Sequence, residues 1–308
     1  MAAYQVSRSI NISAPIETIH ATLLDYKQWP VWSPWLIIEP DTMLKYSDTQ
    51  GKIGSNYSWD GELVGSGNME IEKIADSRVD MKIAFISPFK SKADVNFEFE
   101  SLGDETKVTW NMAGKLPFFL IPMLKKMKAY IGMDYERGLR LLKEYIETGA
   151  ISSSITIEGV SNQLAVKYIG IENDCELKDM GNVMPADFQR LAQFIQENSL
   201  SAGAVFAIYN EFDMVNQHAG FISAIAVDSD IEVKTPFIKG ELEGGECIKV
   251  THTGPYLHLG NGWSAAMGYA RAKKIKTTKT PVGIEYYLND PASTPANELM
   301  TEIVLPIR

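Results

Sequence analysis

Few side chains in this sequence are equipped for chemistry. The two cysteines, Cys175 and Cys247, lie far apart and fit no metal-ligand or paired redox spacing, so free thiols packed as small hydrophobes are expected. Of the four histidines, His20 falls on an amphipathic helix and reads as a packed side chain, while His218 stands alone. His252 and His258, which flank THTGPYLH, would need a third ligand that nothing nearby supplies. No metal site and no cofactor are expected. There is no Gly-x-Ser-x-Gly elbow and no cysteine–histidine nucleophile motif. Gly65-Ser66-Gly67 lacks the later glycine and the following helix of a phosphate loop, and reads as a bulge or turn among antiparallel strands.

Two features remain. The stretch PVGIEYYLNDP, residues 281–291, reads as a strand ended by Asn289, Asp290 and Pro291. Strand alternation puts Glu285 and Tyr287 on one face and Ile284 and Tyr286 on the other. If the Glu285 face is wet, Glu285 is a solvated surface acid. If both faces are covered, it is a buried carboxylate that needs a partner or awaits a cation. The second feature, WPVWSPW, spaces Trp29, Trp32 and Trp35 three apart, with Pro30 and Pro34 interrupting a regular helix. It reads either as a helical turn packing aromatics over a sheet or as the wall of an apolar cavity. In the second case Trp59 and Trp110, on predicted strands, would join Trp32.

Elements must position these residues, and composition bounds how many. A chain of 308 residues suggests two domains, and 45% hydrophobic with 22% charged residues is the profile of a soluble globular protein. The net charge of −10 argues against a nucleic-acid surface and equally against a polybasic membrane patch. The longest apolar tract, Leu116 to Leu124, is interrupted by Pro117 and Pro122 and is too short to span a bilayer. The N-terminal residues lack the apolar run of a signal peptide. A cytoplasmic protein with neither membrane nor direct nucleic-acid partner is expected.

The pattern divides the chain at 1–149 and 150–308, with Thr148 to Ser154 as linker. In the first part, alternation at residues 6–12 leads to a helix over SAPIETIHATLLDY. Further alternating runs follow, such as Val79, Met81, Ile83 and Phe85, or Val108, Trp110 and Met112. From Pro122 to about Glu147, Leu124, Met127, Ile131, Tyr135, Leu139, Leu142 and Ile146 recur at helical spacing. This predicts an antiparallel sheet curled around a long final helix, with an apolar cavity between them. In the second part, strands at 162–170, 204–209 and 220–227 accompany a helix at 183–198, with Phe188, Leu191, Ala192 and Ile195 on one side. The order then repeats with strands at 246–253, 282–288 and 298–305 and a helix at 261–273. Two strand–helix–strand–strand units make a pseudo-symmetric α+β domain with a cleft between its halves. AVFAIYNEF, the strand of the first unit equivalent to GIEYY, carries Ala207 or Ile208 near the matching place and no acid before Glu211. The binding charge is therefore expected in one half alone.

Both parts resemble known families. INISAPIETIHATLLDYKQWPVWSPW, GKIGSNYSWDG and IGMDYERGLRLLKEYIE are similar to the START-like helix-grip proteins, also labelled SRPBCC or polyketide cyclase-like. That resemblance implies a sheet around a long C-terminal helix and hydrophobic ligands, but no catalytic residues to carry over. Residues from about 155 to 308 resemble the GyrI-like effector-binding domain through THTGPY at 251–256, Trp263 and EYYLNDP…TP…ELMTEIVLPI. This second resemblance implies a cavity for diverse, often cationic aromatic molecules. Glu285 would meet the cation, and Tyr287, Tyr256 and Trp263 would form aromatic walls. Related regulators carry a DNA-binding helix-turn-helix where this chain has its START-like part, so direct DNA binding is not implied.

The leading expectation is a cytoplasmic sensor or sequestering protein with a greasy pocket in the first domain and an acid-floored aromatic pocket in the second. One alternative is a hydrolase or cyclase using Glu285 as general base or electrostatic stabiliser. Another is a gyrase-inhibitor-like interaction protein with a protein partner.

Overall fold

The computed structural model describes residues 2–228 and 231–308. The chain divides into two compact units, Met1–Ser152 and Ser153–Arg308.

In the first unit, β1 (Ala2–Ile12) leads through α1 (Ile16–Leu24) and the single turn α2 (Trp29–Trp32) to a run of strands. These are β2 (Met43–Tyr46), β3 (Asn56–Gly61), β4 (Gly65–Ala75), β5 (Arg78–Ser87), β6 (Ser91–Leu102) and β7 (Glu105–Leu116), followed by α3 (Leu124–Thr148). The strands form one antiparallel sheet in the order β1-β7-β6-β5-β4-β3-β2. Alternation works as expected: Val79, Met81 and Ile83 are buried, as are Val95, Phe97 and Phe99, while most of the intervening residues are polar and reach water. Gly149, in the left-handed region at φ +82°, ends α3 by donating its N–H to the Tyr145 carbonyl. The architecture is the helix grip predicted from the sequence.

The filling of the grip differs from expectation. Trp110 is sandwiched between Phe97 and Tyr135, with ring centroids 4.8 and 4.1 Å away. Trp32 lies edge-on to Trp110 at 5.9 Å, and Trp29 packs on Trp32 at 4.7 Å. Trp59 packs tilted against Tyr57 and edge-on to Phe85 and rests over Gly67, where a Cβ would come within 2.4 Å of its ring. Trp32, Trp59 and Trp110 are therefore core residues. The short helix α2 turns its rings inward, where they pack on the rings of the sheet. Gly67 also sits at a register shift between β4 and β5, so Gly65-Ser66-Gly67 is a bulge among strands.

The buried carboxylate of Glu39 organises the turn before β4. It accepts from the backbone N–H groups of Glu62, Leu63 and Val64 at 2.6–2.9 Å. Gly61 has no Cβ to collide with it. Removing this acceptor would break all three bonds. Glu39→Ala is expected to destabilise the first unit by about 3 kcal/mol. Urea unfolding followed by tryptophan fluorescence would measure this, because five of the six tryptophans lie in this unit.

The second unit contains β8 (Ser154–Gln163), β9 (Val166–Glu176), α4 (Met180–Glu197), β10 (Ala202–Asp213), β11 (His218–Val227), β12 (Phe237–Leu242), β13 (Gly245–Thr253), α5 (Gly260–Ala272), β14 (Gly283–Tyr287) and β15 (Met300–Pro306). The predicted strand at 162–170 in fact runs across the end of β8 and the start of β9, which do not pair with each other, and β12 was not anticipated. Both new strands lie at sheet edges, where alternation is weakly enforced because one side has no strand neighbour. The order is β12-β9-β11-β10-β14-β15-β13-β8. The repeats β9-α4-β10-β11 and β13-α5-β14-β15 meet at the antiparallel pair β10·β14. One sheet face carries α4 and α5; the other is covered by Tyr168, Phe206, Ile208, Ile222, Ile284 and Val304. Among the described residues no helix is long and apolar enough to cross a membrane.

Candidate functional site

The Glu285 strand is covered on both faces, which settles the alternatives left by its alternation. Ile284 packs in the cluster away from the helices, and Glu285, 4% exposed, points to the helix side. There it lies between Ala207 on β10 and Ile303 on β15, its direct cross-strand neighbours.

Two local features make the site. Helix α5 approaches the sheet closely because its buried face is small: Gly262, Ala265, Ala266, Gly268 and Ala270. A Cβ on Gly262 would come within 2.6 Å of Ile303. On the strand, Gly283 leaves room for the indole of Trp263, which a Cβ would meet at 2.6 Å. Trp263 therefore lies down beside Glu285 and donates its Nε1–H to Oε1. Tyr287, two residues along the same face, donates its hydroxyl to Oε2 at 2.8 Å. Tyr209 on β10, diagonal to Glu285, donates to the same oxygen at 2.9 Å.

The three donors are neutral, and among the described residues no Lys, Arg or His pairs with Glu285. Burial raises its pKa above the usual value, and the bonds from Trp263, Tyr287 and Tyr209 partly offset this. The phenols of Tyr209 and Tyr287 are held well above their ordinary range, first by burial and next by the adjacent carboxylate.

Aromatic rings surround this core. Tyr256, 40% exposed, meets Tyr287 edge-on at 5.7 Å. Phe188 of α4 meets Tyr287 at 5.6 Å, Phe212 stacks on Trp263 at 6.2 Å, and Met184 places its sulfur 3.9 Å from the Tyr209 hydroxyl. Glu285, Tyr287, Tyr256 and Trp263 thus come together. Trp32, Trp59 and Trp110 belong to the other unit's core.

Sequence reasoning missed Tyr209, although it sits two residues from Ala207 and so shares its strand face. It also missed Asp187. This carboxylate, buried on α4, accepts from Asn173 at 2.6 Å and Ser223 at 3.0 Å. Burial raises its pKa. Ser223 lies opposite Ala207, in the same cross-strand row as Glu285. Both halves therefore carry a buried acid on the helix face, Glu285 on a strand and Asp187 on a helix. The signal was present: Asp187 stands four residues before Leu191, in the apolar stripe of its helix.

The remaining candidates fall elsewhere. In the first unit a groove of about 800 Å³ is lined by Tyr4, Glu70, Lys82, Asp94, Leu124 and Lys128 among others. Its lining mixes charged with apolar groups, unlike the greasy pocket expected. His20 packs edge-on against Phe99, and His218 pairs with Asp174 at 2.7 Å. Cys175 and Cys247 are free, with thiol pKa values raised by burial. His252 is buried, its Nε2 lying 3.0 Å from the Ser153 hydroxyl. No group of metal-binding side chains forms around it among the described residues.

Residues 3–147 match the family described as polyketide cyclase / dehydrase and lipid transport, and residues 162–308 match the GyrI-like small molecule binding domain. The chain is therefore a small-molecule-binding protein. It joins a START-like, polyketide-cyclase-like domain to a GyrI-like effector-binding domain. Similar solved structures include EcmrR in complex with DNA, at 15% identity, covering 61% of this chain and 69% of that one with a TM-score of 0.44. The EcmrR C-terminal domain is 15% identical, covering 51% and 99% with a TM-score of 0.40. The Aha1 dimer from Colwellia psychrerythraea is 17% identical, covering 47% and 98% with a TM-score of 0.36. No curated protein matches the chain.

Burial, and secondarily His258, depresses the His252 pKa to about 4. Unfolded, the ring would titrate near its ordinary 6.5, so at pH values between the two the unfolded chain binds more protons. The stability supplied by neutral His252 is thus complete above pH ~6.5 and lost as pH falls toward 4, at about 1.4 kcal/mol per unit. Thermal unfolding followed by circular dichroism should show a shallower fall in Tm across this window for His252→Gln than for the parent protein.

Proposed function

We propose that the GyrI-like domain binds a small aromatic cation, with Glu285 as counter-charge and Tyr287, Tyr256 and Trp263 as walls. The observation that carries this reading is a buried carboxylate held by three neutral donors and no cationic side chain. Burying a carboxylate costs several kcal/mol, and neutral hydrogen bonds return part of that cost. A ligand cation would supply the missing charge, and the rings around it would add cation–π attraction of about 0.5–2 kcal/mol each. Tyr256, the most exposed of these rings, stands where an entering ligand would first meet the site. The domain would serve as a cytoplasmic sensor or sequestering module. The chain's acidity favours relaying ligand state to a protein partner over contacting DNA itself.

Isothermal titration with permanently charged aromatic cations and their neutral isosteres tests this. Glu285→Gln removes the charge while keeping the shape and one carbonyl acceptor; its amide N–H groups donate, and a tyrosine hydroxyl facing them can turn to accept. It should weaken the cations at least tenfold, about 1.4 kcal/mol, and spare the isosteres. Equal loss for both classes would remove the charge from the account. A proton competes with the cation for Glu285, whose folded pKa lies above 4.5. Cation affinity should therefore rise with pH through that pKa and level off above it, and this dependence should vanish in Glu285→Gln.

The raised pKa also favours a second reading, a hydrolase with Glu285 as general base. That reading requires turnover of electrophilic substrates, abolished in Glu285→Gln with the fold intact.

A further inference from the structure

Net acidity is an average, and the fold breaks it locally. At one end of the first sheet the β5–β6 turn lies beside the passage from β7 into α3, because Ala93 near the start of β6 pairs with Gly114 near the end of β7. The segments 84–93 and 113–133 hold six lysines and not one Asp or Glu. These are Lys90, Lys92, Lys115, Lys125, Lys126 and Lys128, all exposed. None has an ion-pair partner among the described residues. Lys126 instead lies over the Tyr130 ring.

Apolar side chains project at the same end. Phe89 is 80% exposed, Phe118 75% and Phe119 67%, with Met123 and Ile121 also in water. The 3-10 turn Phe118–Met123 that carries four of them buries none of its residues. Soluble proteins rarely leave so many large apolar groups together in water unless the patch serves an interaction. Lysines beside aromatics, on a tract too short to cross a bilayer, are the composition of a segment that lies in a membrane interface. The groove next to the patch holds the carboxylates of Glu70, Glu72 and Asp94, and Glu72 is paired with Lys82.

We propose that this corner of the first domain docks on an anionic lipid bilayer. Phe89, Phe118, Phe119, Ile121 and Met123 enter the headgroup region while the lysines remain among the phosphates. Charge complementarity selects this partner, because a second copy of the chain packed patch to patch would set lysines against lysines. The apolar groups also stand on a hairpin tip and a turn rather than lining a groove, which suits a fluid partner.

Co-sedimentation of the full chain with vesicles tests the assignment. Partition onto vesicles with about 30 mol % phosphatidylserine should exceed that onto pure phosphatidylcholine by at least about tenfold and fall with salt. The triple variant Lys125→Glu, Lys126→Glu, Lys128→Glu and the double variant Phe118→Ser, Phe119→Ser should each cut it by about tenfold or more. Both alter exposed side chains only, so tryptophan fluorescence and the unfolding transition should stay unchanged. Absence of binding to the anionic vesicles, or equal binding by parent and variants, overturns the proposal. So does self-association in sedimentation velocity that the same variants abolish while vesicles are ignored, since the patch would then belong to a second copy.

Discussion

A carboxylate held in a dry interior by neutral donors alone is the constraint around which the second domain is arranged. Hydrogen bonds to a charged group are worth about 1.5–3 kcal/mol each, against a desolvation cost of several kcal/mol. Three such bonds bring Glu285 near balance without giving it an opposite charge. Each donor has its own structural requirement. Trp263 needs a glycine beneath it at Gly283 and a helix of small residues behind it. Tyr209 needs the β10·β14 pairing, and Tyr287 needs the strand alternation.

Glu39 in the first domain poses the same problem and has a different solution. Its acceptors are filled by three backbone N–H groups of one tight turn, fixed by the chain itself. Such a carboxylate is complete and holds a loop. The donors of Glu285 are side-chain hydroxyls and an indole, which rotamer changes can redirect. Two buried glutamates thus serve different ends according to whether backbone or side chain satisfies them.

The sequence patterns were read correctly where one face of an element is dry. Strands β1, β4, β5, β6 and β7, the long helix α3 and the order of the two strand–helix–strand–strand repeats followed from periodicity. The edge strands β8 and β12 did not, because an edge strand has a neighbour on one side only and its alternation is loosely enforced. The tryptophans show a different limit. Their spacing marked Trp29 and Trp32 as one cluster, but a cavity wall and a packed core demand the same residue types. The choice depended on whether Phe97, Trp110 and Tyr135 reach across the sheet–helix gap, as they do.

Local rules decided which face of its strand Glu285 shares with Tyr287, that the chain has two domains, and that its average charge is acidic. These depend only on composition and on periods of two and 3.6 residues, which neighbouring residues set by themselves. The tertiary fold alone decided that both sheet faces are covered, that Tyr209 and Trp263 converge on Glu285, that Asp187 joins the same row, and that scattered lysines gather at one corner. Each of these joins residues far apart in the chain. Strand order and register set them, and no local spacing encodes either.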